Sequence, residues 1–170
     1  IAAELRNFSA PLGTFAVLGN HDWVYDGKRV TTALASVGIK VIENGAVRIN
    51  RDGKFIWLLG IADAWTRKPD FNKALTEVTD DAPVIAFTHN PDIFPNAPQR
   101  VLLMLAGHTH GGQVNLPLVG RLFVPSKYNQ RYAIGHVIEN GRHLYVTPGV
   151  GTSIFPVRFR VPPEITVLDL

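Results

Sequence analysis

The sequence contains no cysteine. Disulfides and thiolate ligands are therefore excluded, and any metal held by this chain must sit on nitrogen and oxygen, which favours catalytic over structural metal sites. Long hydrophobic runs are also missing. The apolar stretches are strand-sized, none approaches the ~18 residues of a membrane-spanning helix, and no charged-then-apolar signal segment opens the chain. Low-complexity tracts, internal repeats and linkers are absent. No basic stripe is interleaved with aromatics, so a sequence-specific nucleic-acid partner is not expected.

What is present describes a globular chain. With 170 residues, 46% of them hydrophobic, it can bury a sizeable core in a single domain over 1–170. Its formal charge of +3 suits anionic substrates without selecting one. The chain opens on Ile1, so an upstream segment that could carry any targeting signal is expected.

Polar residues gather at the ends of apolar runs. The run 101–106 leads into Gly107-His108-Thr109-His110-Gly111-Gly112-Gln113, where flanking glycines force an abrupt loop. Residues 14–18 form a second buried strand, stopped by Gly19 and followed by a loop carrying Asn20, His21 and Asp22. Residues 83–88 form a third, followed by His89-Asn90-Pro91-Asp92.

Between these, helical spacing over 28–38 gives strand, loop, helix. Short strands are expected at 39–42, 46–50 and 55–59, the last two joined at Asp52-Gly53 in an antiparallel hairpin. Asp63 ends the last of them and reads as a turn or helix-cap carboxylate. A helix is expected over 69–80, then β structure at 113–116, 122–124, 132–139, 143–147 and 165–170, with an Asn140-Gly141 hairpin. His136 and His143 lie inside strands and read as structural or surface histidines. These pieces describe a mixed α/β body with helices outside and sheet inside, whose ligands bind beyond the carboxyl ends of the strands.

Histidines with an asparagine can hold Zn, Mn or Fe. If Asn20 is a ligand through its amide oxygen, His21 reaches beyond the metal toward a leaving group and Asp22 holds its proton position, which is equipment for metal-assisted hydrolysis. Arg158 and Arg160 share one side of an extended segment and read either as contacts to an anionic headgroup or as an exposed basic pair. A metallo-β-lactamase-like pattern is set aside, because Gly111-Gly112 follows the His pair where Asp-His would be required.

Gly19-Asn20-His21-Asp22, His89 and Gly107-His108-Thr109-His110, in this order and spacing, resemble the later motifs of the calcineurin-like metallophosphoesterases. The extended Gly-His-Thr-His-Gly-Gly-Gln and the tail from Tyr145-Val146-Thr147-Pro148-Gly149 through Arg158 to Pro162-Pro163-Glu164-Ile165 are similar to the bacterial YkuE/YaeI-like phosphodiesterase branch. The resemblance implies a layered sandwich of two mixed β-sheets flanked by helices. It further implies two divalent ions, Asn20, His89 and His108 ligating one and His110 the other. His21 would be the catalytic histidine at the leaving oxygen, oriented by Asp22, and a metal-activated hydroxide would cleave phosphodiester or pyrophosphate bonds.

The family pattern begins with Asp-x-His and Gly-Asp-x-x-Asp, and neither precedes Gly19. The expectation is an N-terminally truncated domain lacking its first strands, impaired alone, with an exposed strand edge open to self-association. The alternative is a non-catalytic phosphoesterase-like scaffold that has lost the first metal site. A bacterial parent, cytoplasmic or membrane-associated and with a membrane-proximal role, fits the same resemblance.

Overall fold

The computed structural model describes residues 2–169. Its largest element is a six-stranded sheet in the order β3-β4-β5-β6-β10-β9. The strands are β3 (Gly45–Arg51), β4 (Lys54–Ile61), β5 (Val84–Thr88), β6 (Val101–Ala106), β9 (Gly135–Glu139) and β10 (Arg142–Val146). β4, β5, β6 and β10 run parallel, while β3 and β9 join antiparallel at the two edges. Both antiparallel joints are hairpins whose central residues have positive φ, Asp52-Gly53 and Asn140-Gly141.

Parallel strands carry apolar residues because both faces lie among other groups. Register then lines them up: Leu59 pairs with Ala86, Ala86 with Met104 and Met104 with Leu144. All four are fully buried. The helix α3 (Phe71–Leu75) and a 3-10 turn over Pro91–Asn96 pack Phe71, Ala74, Ile93 and Phe94 against this row, and Tyr132 completes it.

A smaller parallel pair stands beside the main sheet: β1 (Thr14–Ala16) with β2 (Ile39–Val41). Among the described residues β1 has no other strand neighbour. Between them runs α2 (Asn20–Ala35), and a short α1 (Ala2–Leu5) precedes β1. β7 (Asn115–Leu116) and β8 (Gly120–Arg121) form an antiparallel pair of their own. The architecture is mixed α/β, one large mixed sheet with two smaller two-stranded ones and helices, consistent with the layered sandwich that the resemblance implies. No helix of the described residues is long and apolar enough to cross a membrane.

Several local expectations are corrected. Asn20, His21 and Asp22 are not on a loop but form the first turn of α2, which begins earlier than the apolar spacing from 28 onward suggests and breaks at Asp26. α3 is much shorter than 69–80. Asp70 caps its start by accepting from the Lys73 N–H at 2.9 Å. Beyond its end the Glu77 carboxylate turns away to accept the Ala46 N–H. Residues 122–124 make no strand; Leu122 and Phe123 stand exposed and line a cavity instead. Tyr132 ends a 3-10 turn, not a strand. The strand expected at 165–170 is absent through 169, where Ile165 and Val167 are exposed, and Leu170 lies outside the described residues.

Candidate metal centre

β4, β5 and β6 end side by side, and their carboxyl ends deliver Asp63, His89 and His108 to one edge. The backbone is stitched there by the Gly107 N–H donating to the His89 carbonyl at 3.0 Å. β1 contributes from the side: its chain passes Gly19 and enters α2 with Asn20, which is buried. Glycine is required at 19 by a neighbour, since a Cβ would lie 2.8 Å from Nδ1 and Cε1 of His89.

The centre is the meeting of Asn20, His89 and His108. Asn20 Oδ1 lies 2.9 Å from His89 Nε2, and His108 Nδ1 lies 3.0 Å from the same nitrogen. Each of these atoms bears a lone pair in some tautomer, yet only one proton fits between them. Donors at ~2.0–2.1 Å from a shared ion stand about 3 Å apart when cis, so the spacing suits one divalent cation. Burial holds His89 down to about 4, assisted by its neighbour His108. His108 is lowered by burial too, against the pull of the Asp63 carboxylate. Neutral imidazoles facing an amide oxygen are a ligand set, and the residues present fit a metal of the Zn, Mn or Fe kind.

His110 is not joined to that cluster. Its Nδ1–H donates to the Gly151 carbonyl at 3.3 Å, leaving Nε2 as the free lone pair, and burial lowers its pKa. It lines the same cavity of about 640 Å³, as does the exposed His21. Both His108 and His110 have positive φ, +69° and +51°, a left-handed backbone that non-glycine residues adopt at a cost of ~1–3 kcal/mol and that recurs at functional sites. Among the described residues no three carboxylate or imidazole side chains gather on one point.

Asp22 Oδ2 accepts the Gly19 N–H at 2.8 Å and so fixes the turn from which His21 projects. The Arg158 guanidinium is engaged by backbone carbonyls. Nη2 donates to the carbonyls of Pro148 at 2.7 Å, Gly149 at 3.1 Å and Gly151, and Nε and Nη1 reach Gly151, His110 and Val161. It locks the strap 148–161 against the His110 loop. Arg160 is exposed over the Phe159 ring.

Sequence reasoning passed over Trp65 and Gln113. Trp65 sets its ring edge against His108 with centroids 4.3 Å apart, yet stays 55% exposed at the cavity wall. A large aromatic two residues past a strand-end carboxylate was the available signal. Gln113 lines the cavity, donating to the Phe155 and Val157 carbonyls and accepting from the Ser153 N–H. His136 and His143 lie apart from the site, stacked on each other on β9 and β10.

Curated proteins similar to the chain include metallophosphoesterases by name. The chain is 35% identical over 169 residues to YkuE, an uncharacterized metallophosphoesterase of Bacillus subtilis, covering 98% of this chain and 59% of that protein. It is 36% identical over 166 residues to the phosphodiesterase YaeI of Escherichia coli, covering 92% and 58%. A Danio rerio transmembrane protein with a metallophosphoesterase domain is 30% identical over 183 residues, covering 99% and 41%. The chain thus spans under three-fifths of the length of the first two. No family profile and no solved structure matches it.

Proposed function

We propose that the chain is a calcineurin-like metallophosphoesterase carrying part of a divalent-metal site that hydrolyses phosphodiester or pyrophosphate bonds, a reading supported by its likeness to relatives named metallophosphoesterase and phosphodiesterase. The observation that carries the reading is the convergence of Asn20 Oδ1, His89 Nε2 and His108 Nδ1. These three hold one cation, and His110 serves a second through Nε2. When bound, the metal supplies Lewis-acid polarisation of a phosphoryl oxygen and lowers the pKa of water. Manganese, zinc and iron all suit the donor set.

The chain's own residues do the rest. His21, exposed on the first turn of α2 at the cavity wall, gives a proton to the leaving oxygen, and Asp22 holds the turn beneath it. Desolvation lowers the pKa of both rings, His89 to about 4, which favours the neutral imidazoles that serve as ligands. To serve as a ligand through Nε2, His89 would carry its proton on Nδ1, a tautomer shift without net proton release, so metal affinity should fall only as the imidazoles themselves become protonated.

Elemental analysis and calorimetric titration with Mn²⁺ or Zn²⁺, beside hydrolysis of bis(p-nitrophenyl) phosphate, test this. His89→Ala and His108→Ala should lose metal, whereas His21→Ala should keep it and lose turnover by about 10²–10⁴-fold. Wild-type affinity for metal unaffected by either ligand substitution would sink the assignment. A second reading is a non-catalytic phosphoesterase-like binding or scaffold domain. Metal bound through His89 and His108 with no turnover under any metal would select it.

A further inference from the structure

Among the buried polar atoms without partners near the cluster, which include Thr88 Oγ1 and Asn90 Nδ2 beside His89, two are complementary in charge and chemistry, Asp63 Oδ1 and His108 Nε2. Asp63, at the end of β4, is fully buried. Its Oδ2 alone accepts the Trp65 N–H at 3.0 Å, the Thr66 N–H at 2.8 Å and the Thr66 hydroxyl at 2.7 Å. One oxygen therefore satisfies the turn that the sequence suggests. Oδ1 is buried with no donor, a costly state for a carboxylate oxygen.

The second atom is His108 Nε2, also buried and without a partner. Its protonation follows from the cluster. Asn20 Oδ1 can only accept, so the shared proton sits on His89 Nε2, and His108 Nδ1 faces it with a lone pair. His108 then carries its own proton on Nε2, a buried donor with no acceptor, and the same tautomer is needed for Nδ1 to ligate a cation. Trp65 connects the two places: its backbone is bonded to Asp63 and its ring packs on His108.

We propose that Asp63 is a positioning residue of the metal centre, whose free Oδ1 takes the Nε2–H of His108 as the imidazole settles on the cation. The turn and the site share one carboxylate, Oδ2 for the backbone and Oδ1 for the ligand. Metal-bound histidines commonly donate their other nitrogen in this way, which fixes the ring and raises its basicity. The inference rests on the metal-site reading above and goes beyond it by assigning a residue outside the ligand set.

The test uses Zn²⁺ alone as probe. Calorimetric titration should show Asp63→Asn binding Zn²⁺ about 10–100-fold more weakly than wild type, since the amide either offers a donor to Nε2–H or gives up the turn. Thr66→Val loses a turn bond and leaves Oδ1 in place, so it should melt lower and keep wild-type affinity. In ¹⁵N NMR of the zinc-loaded wild type, the His108 Nε2–H should resonate downfield as a carboxylate-bonded imidazole proton; this reading needs no variant to fold. A wild type that binds zinc with an unshifted His108 Nε2–H, or an Asp63→Asn protein with unchanged affinity, overturns the inference and leaves the metal site standing. A wild type that binds no zinc overturns both.

Discussion

At Gly19 a missing side chain decides whether the ligands meet. The backbone there, at φ −93°, is open to any residue, so the need for glycine comes wholly from the His89 ring that lies against it. Gly19→Ala should displace that ring from Asn20 and cost about 1–3 kcal/mol of stability by overpacking. Zinc affinity measured by calorimetry should fall at least about tenfold. Unchanged affinity would mean that the ring moves without leaving the centre. Arg158 shows the reverse case, a side chain whose charge is spent on carbonyls and whose apparent freedom in the sequence disappears on folding.

The strands deliver these residues only if the sheet beneath holds its register. Leu144 on β10 is fully buried beside Met104 on β6, at the end of the row that crosses β4 and β5. Leu144→Ala should remove about 2–5 kcal/mol, read as a lower urea midpoint with an unchanged slope. β6 leads directly into the His108 loop, so zinc affinity is the second readout, and a loss of stability below about 1 kcal/mol would show that the row collapses around the gap. On the edge strand β9, by contrast, Ile138 is exposed, and the same truncation there should cost little.

For the molecule as a whole, pH sets a balance between protonated unfolded chain and neutral buried imidazole. His89 titrates at about 4 when folded, against about 6.5 when unfolded. Between these values the unfolded chain binds more protons, so stability rises with pH across this window and is lost as pH falls through it; below about 4 the contribution is flat. For His89 alone the effect is on the order of 2–3 kcal/mol, with His108 and His110 adding in the same direction. Urea denaturation of metal-free protein at pH 7 and pH 4.5 should show the drop, and His89→Gln should flatten it. Equal midpoints at the two pH values would contradict the burial of these rings.

The sequence by itself determined the elements whose signal is local. Apolar runs at 83–88 and 101–106, Asp52-Gly53 and Asn140-Gly141 state their strands and turns through side-chain chemistry and backbone freedom alone, and Gly-His-Thr-His-Gly-Gly-Gln carries the resemblance to the metallophosphoesterases. It also put Asn20, His89 and His108 into one site, through motif order and strand ends. Only the tertiary structure decided what each site residue touches. That Asp22 grips a backbone N–H, that Arg158 is consumed by carbonyls, and that Asp63 keeps one oxygen free depend on contacts between segments distant in sequence or on which way a carboxylate turns. The same holds for Leu122 and Phe123, apolar enough for a strand yet without a strand to pair with, so they face a cavity. Periodicity records which faces are apolar; it does not record what stands opposite them.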